Sequence, residues 1–198
     1  PINYRLLPAD FEYIINHCGA KIVCAHEDQI NAIDVIKDKL TTVKTFVALE
    51  GAGDGWIKYE ETLKSHSPSF SKVDISETDL ITINYTSGTT ARPKGVMITH
   101  RNAYVNIMGT LAHHHLTPSD RYLWTLPMFH ANGWTFTWIN TARGIVHVCL
   151  RKVEPLLIYQ VIKEENITMF CAAPTVLISI SNVPEKVRAG APKGVRLF

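Results

Sequence analysis

Residues 84–96, Asn-Tyr-Thr-Ser-Gly-Thr-Thr-Ala-Arg-Pro-Lys-Gly-Val, constrain the fold more than any other part of the chain. The residues before them, 79–84, alternate apolar and polar side chains, and residues 96–98 form a second short strand candidate. The pattern predicts a short loop that joins two neighbouring strands. Glycine lets such a loop bring its amide N–H groups close to an anion, while hydroxyls and the Lys94 ammonium donate further hydrogen bonds. This composition is typical of a phosphate-binding loop.

Three other motifs with similar residues do not fit. A Walker A loop, G-x-x-x-x-G-K-[ST], would need glycine at Pro93 and a hydroxyl residue at Gly95. A dinucleotide fingerprint, G-x-G-x-x-G, is absent from the stretch. A hydrolase nucleophile elbow would need glycine two residues before Ser87, where Tyr85 stands. On the local sequence, a plain hairpin turn with a solvated lysine remains an alternative.

The stretch from Thr86 to Val96 resembles the phosphate-binding signature of AMP-forming acyl-CoA synthetases, which belong to the adenylating superfamily. The family pattern is close to T-S-G-T-T-G-x-P-K-G-V, and this chain departs from it only at Ala91, where glycine is usual. The resemblance implies ATP, Mg²⁺ and coenzyme A as ligands, and a catalytic role for Lys94. It also implies that the β- and γ-phosphates of ATP are bound by Thr86, Ser87, Gly88, Thr89, Thr90 and Lys94.

Strands and helices alternate along the rest of the chain, which predicts an α/β fold with mainly parallel sheets. Helices are predicted over residues 8–17, 29–40, 59–64, 132–142 and 174–180, and another begins at Pro155. A further helix runs to about Leu116, with Thr99 as its predicted N-cap and an apolar stripe of Tyr104, Ile107, Met108 and Leu111. Strands are predicted over residues 21–25, 45–49, 122–126, 145–150 and 168–172. The resemblance implies that these elements form part of the large N-terminal domain of an acyl-adenylating enzyme.

A second motif follows the predicted strand 122–126 and reads Leu-Pro-Met-Phe-His-Ala-Asn-Gly-Trp over residues 126–134. Ligands bind at the carboxyl ends of strands in parallel sheets, although a lone histidine such as His130 is more often a hydrogen-bonded structural residue. The stretch resembles the family motif L-P-x-x-H-x-x-G, whose histidine lies beside the carboxylate substrate and whose following helix lines the acyl pocket. The resemblance therefore implies that His130 is catalytic and substrate-binding, and that Gly133 and Trp134 bind substrate.

Two further patterns have weaker implications. Cys-Ala-Ala-Pro-Thr at residues 171–175 resembles a third family motif, which would place Ala173 near the acyl and nucleotide pocket. A strand–helix junction with proline in the first helical turn explains the same residues equally well. Three consecutive histidines, residues 113–115, point about 100° apart on a helix. They cannot lie on one face and bind the same metal ion, so we assign no metal-binding residue.

Composition and cysteine spacing limit the class of protein. The 198 residues are 46% hydrophobic and carry a net charge of +2, which indicates a soluble globular chain and no nucleic-acid partner. No apolar run approaches the roughly 18 residues of a membrane span, and the N-terminus does not resemble a signal peptide. We expect a cytoplasmic location, with the peroxisome as an alternative. Buried thiols of a reducing compartment are predicted at Cys24, Cys149 and Cys171.

Both ends of the chain look internal to a longer protein. The first residues resemble a family segment of the type P-x-N-x-R-L, and residues 194–198 read as the start of a new strand. We therefore expect a partial AMP-binding domain over residues 1–198 that is inactive alone. The resemblance implies a ligase that joins a fatty or aromatic acid to coenzyme A. The alternatives are a truncated, non-catalytic nucleotide-binding protein and another acyl-adenylating enzyme of the superfamily.

Overall fold

The computed structural model describes residues 1–51, 53–86 and 92–198, which fall into two compact units, Pro1–Ile98 and Thr99–Phe198. The first unit contains, in chain order, α1 (Pro8–His17), β1 (Ile22–Ala25), α2 (Glu27–Asp34), a 3-10 turn (Lys37–Lys39), β2 (Thr45–Ala48), β3 (Ile57–Lys58), α3 (Tyr59–Ser65), β4 (Leu80–Thr86) and β5 (Lys94–Thr99). The second contains α4 (His100–His113), β6 (Arg121–Trp124), α5 (Ala131–Trp134), α6 (Phe136–Arg143), β7 (Val146–Cys149), α7 (Pro155–Glu164), β8 (Met169–Phe170), α8 (Pro174–Ser181), α9 (Glu185–Arg188) and β9 (Arg196–Leu197).

The first unit begins with a parallel sheet in the order β1-β2-β3. Helices α1 and α2 pack on this sheet through a core that includes Phe11, Ile15, Ile30, Ile33 and Trp56. Helix α1 covers residues 8–17 as predicted, because proline suits the first helical turn and the Asp10 carboxylate accepts a hydrogen bond from the Leu7 N–H at 3.1 Å. The predicted parallel arrangement is therefore confirmed in this unit.

Helix α2 is shorter than the sequence predicts. The apolar spacing predicts a helix over residues 29–40, but the helix ends at Asp34 and a 3-10 turn follows at Lys37–Lys39. Ile36 leaves helical geometry with φ −112° and ψ 0°, and the β-branched pair Val35 and Ile36 favours helix only weakly. Ile36 and Leu40 are still buried, so the spacing identified the core side chains although it misplaced the helix end.

Strands β4 and β5 form a separate two-stranded sheet. Both predicted strands, residues 79–84 and 96–98, are confirmed, and each extends further toward the residues between them. Consequently Thr86 is the last residue of β4 and Lys94 is the first residue of β5. The two strands approach closely at Gly95, where a Cβ atom would lie 2.9 Å from Cγ2 of Ile83.

The second unit is built on a parallel sheet in the order β7-β6-β8-β9. Strand β6 is buried on both faces, because its successive side chains enter different cores. Tyr122 and Trp124 pack with residues of α4 and α6, while Leu123 packs with residues of α7 and α8. Helices on both faces are the usual environment of a parallel sheet, so the predicted fold class is confirmed here as well.

Three predictions about exposure are corrected. Thr99 caps α4 as predicted, with its hydroxyl accepting the Asn102 N–H, but Tyr104 and Met108 of the predicted apolar stripe are exposed. Cys24 and Cys149 are also exposed rather than buried, because they lie on the edge strands β1 and β7. Cys171 is buried as predicted, and burial raises the pKa of its thiol to about 11. Of the helices in the described ranges, none is long and apolar enough to cross a membrane.

Candidate functional site

The ends of the phosphate-loop motif lie on neighbouring strands. Thr86 ends β4 and Lys94 begins β5, and both side chains are exposed. The remaining candidates of this motif, Ser87, Gly88, Thr89 and Thr90, lie outside the described residues, as does Ala91. The structure therefore places a hydroxyl and a cation at the two ends of the motif, where both can reach a ligand.

Helix α1 contacts this motif on both sides of residues 87–91. The Tyr13 hydroxyl donates a hydrogen bond to the Pro93 carbonyl at 3.1 Å, and the Arg92 guanidinium lies 5.4 Å from the centre of the Tyr13 ring. One turn along α1, Nδ1 of His17 lies 2.7 Å from the Tyr85 hydroxyl oxygen. Tyr13 and His17 also stack on each other, with their ring centroids 5.2 Å apart. Sequence reasoning missed this pair, although their spacing of four residues places them on one face of a helix.

The chemistry of the Tyr85 contact follows from its surroundings. Burial raises the pKa of the Tyr85 phenol, and the nearby Cys18 and Tyr13 side chains raise it further. The Tyr85 phenol therefore keeps its proton at physiological pH and can donate it to Nδ1 of His17. A cleft of about 690 Å³ opens beside these contacts, and its lining includes Asp10, Glu12, Asn16, His17, Arg92 and Pro93.

The second motif adopts a left-handed turn that the sequence does not predict. Five consecutive residues, from Ala131 to Thr135, have positive φ angles between 44° and 66°. The predicted helix over residues 132–142 is therefore wrong at its start, and the right-handed helix α6 begins only at Phe136. The turn leaves His130 exposed and leaves 67% of Trp134 accessible to solvent, so both candidates can reach a ligand.

A close contact between Gly133 and Trp124 explains why this turn contains glycine. Gly133 has φ 61° and is buried, and a Cβ atom there would lie 2.2 Å from Cζ3 of Trp124. The Trp124 indole N–H donates a hydrogen bond to Nδ1 of His147 at 3.0 Å, and the two rings stack 5.8 Å apart. Burial lowers the pKa of His147, which favours the neutral form that can accept this bond. Trp124 is thus a third residue that sequence reasoning missed.

The second and third motifs lie at the same edge of the four-stranded sheet β7-β6-β8-β9. Strands β6 and β8 are parallel neighbours, so the residues that follow them share the carboxyl edge. The Thr125 hydroxyl donates to the Cys171 carbonyl and joins the two chain segments just beyond the strands. Ala173 is exposed and immediately precedes α8. His130, Gly133, Trp134 and Ala173 therefore belong to one edge of the second unit, whereas Thr86 and Lys94 belong to the first unit.

Among the described residues, one group of potential metal ligands lies in the first unit and contains none of the predicted site residues. The ligand atoms of His26, Glu27 and Glu50 lie within 4.8 Å of one another at the carboxyl ends of β1 and β2. Both glutamates are exposed, and exposed acidic groups commonly gather without an ion. We therefore assign no metal to this group.

Comparison with known proteins gives one family and several relatives. Residues 1–198 match the AMP-binding enzyme family. A 4-hydroxybutyrate–CoA ligase from Metallosphaera sedula is 38% identical over 193 residues, which cover 92% of this chain and 35% of that protein. An acetate–CoA ligase from Humulus lupulus is 44% identical over 205 residues, which cover 92% of this chain and 36% of that protein. The chain thus spans about a third of the length of these curated relatives.

Solved structures confirm the fold. The inhibitor-bound N-terminal domain of FACL13 from Mycobacterium tuberculosis superposes with a TM-score of 0.85 at 29% sequence identity. The match covers 97% of this chain and 47% of that one. The predicted likeness to an N-terminal domain of this kind, with mixed helices and mainly parallel strands, is therefore confirmed.

Proposed function

The chain belongs to the AMP-binding enzyme family, and from that membership we propose that it belongs to an AMP-forming ligase that joins a carboxylic acid to coenzyme A. The ligase class is supported by the two relatives, both of which are CoA ligases. The observation that carries the proposal is the placement of Thr86 and Lys94 on adjacent strands, with both side chains exposed at the ends of the family motif.

The proposed reaction has two steps. A carboxylate oxygen of the acid attacks the α-phosphorus of ATP, the bond from that phosphorus to the bridging oxygen breaks, and pyrophosphate leaves. The thiol of coenzyme A then attacks the acyl carbon and loses its proton, and AMP leaves with the electrons of the broken acyl–oxygen bond. Neither step requires a covalent bond to the protein, so its residues act by holding the reactants in place and stabilising charge.

The phosphate-loop motif is proposed to bind the β- and γ-phosphates of ATP. Hydroxyls and backbone N–H groups of residues 86–90 would donate hydrogen bonds, and the Lys94 ammonium would stabilise the negative charge on the departing pyrophosphate. The stretch 84–96 contains no carboxylate, so it fits phosphate oxygens and not a Mg²⁺ ion. Mg²⁺ that enters with ATP would be held by the phosphate oxygens and would neutralise part of their charge.

The carboxyl edge of the four-stranded sheet in the second unit is proposed to bind the acid. His130 would lie beside the carboxylate, and Gly133, Trp134 and Ala173 would contact the acyl part. Support comes from the joining of β6 and β8 at this edge through Thr125, and from the exposed indole of Trp134. A fatty or aromatic acid would cover this apolar ring. The relatives act on 4-hydroxybutyrate and acetate, so these acids belong in the same assay.

Release of AMP tests the proposal. The full-length protein is incubated with ATP, Mg²⁺, coenzyme A and single acids from a panel of fatty acids, aromatic acids, acetate and 4-hydroxybutyrate. Acid-dependent AMP and acyl-CoA formation is expected. AMP release without any acyl-CoA would indicate another adenylating enzyme, and ATP binding without AMP release would indicate a non-catalytic nucleotide-binding protein.

A further inference from the structure

We propose that Tyr13 and His17 of α1, here called the anchor pair, position the phosphate loop and thereby increase the affinity for ATP. The inference rests on the proposed function, because it assigns a positioning role at the same site. The anchor pair contacts the chain before the loop at Tyr85 and after it at Arg92 and Pro93.

The contact of Tyr13 with Pro93 and that of His17 with Tyr85 are connected through packed aromatic rings. The rings of Tyr13 and His17 stack, and each also meets the Tyr85 ring edge-on, with centroid distances of 6.5 and 5.7 Å. Movement of Tyr85 would therefore displace the Tyr13 ring, whose hydroxyl bonds to Pro93. Movement of Pro93 would in turn displace the same ring, which contacts Tyr85. One turn of α1 thus contacts the chain on both sides of residues 87–91, in addition to the pairing of β4 with β5.

This arrangement matters for a ligand because β4 and β5 provide little support of their own. Val96 and Met97 of β5 are exposed, and so is Leu80 of β4. Fixing both ends of a short segment reduces the conformations open to it, and therefore reduces the entropy that a bound ligand must remove. The contacts of the anchor pair are with Tyr85, Arg92 and Pro93, which are not among the proposed phosphate-binding residues, so its expected effect is on ATP affinity and not on the chemical step.

Tyr13→Phe tests the inference with the least disturbance, because it removes only the hydroxyl that bonds to the Pro93 carbonyl. Tyr159→Phe is the matched control: the Tyr159 hydroxyl on α7 donates to the Ile180 carbonyl at 3.3 Å, a bond of the same kind in the other unit. The KM for ATP should rise about twofold to tenfold in Tyr13→Phe, as expected for one hydrogen bond, and should not change in Tyr159→Phe. The KM for the acid and the rate of thioester formation from supplied acyl-adenylate should be unchanged in both.

His17→Ala provides a second variant that should fold, since His17 is exposed. It should also raise the KM for ATP, and the double variant should lose less than the product of the two single losses, because both residues hold the same loop. An unchanged KM for ATP in both single variants would overturn the inference. So would equal rises in the KM values for ATP and acid, which indicate general destabilisation.

Calorimetric titration with ATP and Mg²⁺ separates this inference from the proposed function. If the unmodified protein binds ATP but releases no AMP, the proposed activity fails, and the affinities of Tyr13→Phe and His17→Ala still decide the role of the anchor pair. Weaker ATP binding by these variants than by Tyr159→Phe supports that role. If the unmodified protein binds no ATP, both proposals are overturned.

Discussion

The strand that leads into the second motif (residues 126–134), here called the histidine motif, is buried on both faces, whereas the strands that flank the phosphate-loop motif are only partly buried. In β6, Tyr122 and Leu123 have no accessible surface, while Met97 of β5 is 65% accessible. The histidine motif is consequently supported by a packed core, and the loop motif by a thin sheet and a few contacts to α1. Substitutions beneath the histidine motif should therefore affect stability most, and substitutions in the loop motif should affect ligand binding most.

The largest effect on stability is expected from Gly133→Ala. Alanine in the left-handed region costs about 1–2 kcal/mol, and forcing an extra carbon into a packed site adds about 1–3 kcal/mol. The added Cβ would meet the Trp124 ring, which is held by its bond to His147 and has little room to move. Urea unfolding should therefore show a loss of about 2–5 kcal/mol.

Gly144→Ala is the control that isolates the Trp124 contact. Gly144 also has a positive φ, 69°, but a Cβ atom there would meet nothing within 4 Å. Only the backbone cost of about 1–2 kcal/mol should remain. Equal losses of unfolding free energy in Gly133→Ala and Gly144→Ala would mean that the Trp124 ring moves aside at little cost. Packing beneath the histidine motif would then be looser than the burial of β6 indicates.

Lys94→Ala should have the converse effect, a large loss of activity with little change in stability. A charge-assisted hydrogen bond contributes about 1.5–3 kcal/mol, which is roughly tenfold to a hundredfold in rate or affinity. ATP–pyrophosphate exchange should fall by that factor, while thioester formation from supplied acyl-adenylate should fall less. Lys64→Ala, at an exposed position of α3, should change neither activity. Equal losses in both half-reactions of Lys94→Ala would contradict the proposed role.

Asp120→Asn tests the support of β6 at its other end. The Asp120 carboxylate accepts hydrogen bonds from the Thr117 N–H at 2.8 Å, the Thr168 hydroxyl at 2.8 Å and the Arg196 guanidinium. The loss of a buried, charged acceptor should destabilise the protein by about 1–2 kcal/mol. Glu154→Gln, which breaks an exposed ion pair with a lysine, should have a much smaller effect on stability.

The effect of Asp120 should depend on pH. Burial alone would raise the pKa of Asp120, but the hydrogen bonds from Thr117, Arg196 and Thr168 outweigh it and lower the pKa below its usual 3.8. The folded state therefore binds this proton less readily than the unfolded state. The stabilisation is present above about pH 4 and is lost as the pH falls through the lowered pKa. The difference in unfolding free energy between Asp120→Asn and the unmodified protein should shrink accordingly, and a difference that grows toward acid would contradict this sign.

Elements with local signals could be predicted from the sequence. Helix α1 begins at Pro8 and helix α7 at Pro155, as expected for proline in a first turn, and the hydroxyl of Thr99 caps α4. The strands around the phosphate loop were also located, because alternation and the glycine-rich stretch lie in adjacent residues. Thr86 and Lys94 were found from the motif alone, and their roles in phosphate binding remain predictions.

Features set by distant contacts could not be predicted. The left-handed turn depends on Trp124, which approaches Gly133 from another element, whereas residues 132–142 by themselves have helical spacing. The exposure of Cys24 and Cys149 depends on the positions of β1 and β7 at sheet edges, which the composition of a strand does not reveal. The contacts of Tyr13 and His17 join residues about 70 to 80 positions apart and leave only a helical spacing in the sequence.

The smallest effect is expected from Ala91→Gly, the reverse of the exchange at Gly133. Ala91 lies outside the described residues, and it is the one departure from the family pattern in the loop motif. If the usual glycine has a positive φ, alanine costs about 1–2 kcal/mol, and Ala91→Gly should lower the KM for ATP about tenfold. If φ is negative, alanine is harmless and restricts the free chain slightly, by about 0.4–1 kcal/mol.

We expect the second case, because every hydroxyl of the motif and Lys94 are retained beside Ala91. The KM for ATP in Ala91→Gly should then change by less than about threefold and, if anything, rise, since glycine gives the free loop more conformations to lose. A tenfold fall would overturn this expectation. It would also mean that the loop motif, although its strands are only partly buried, tolerates backbone changes as poorly as the packed turn at Gly133.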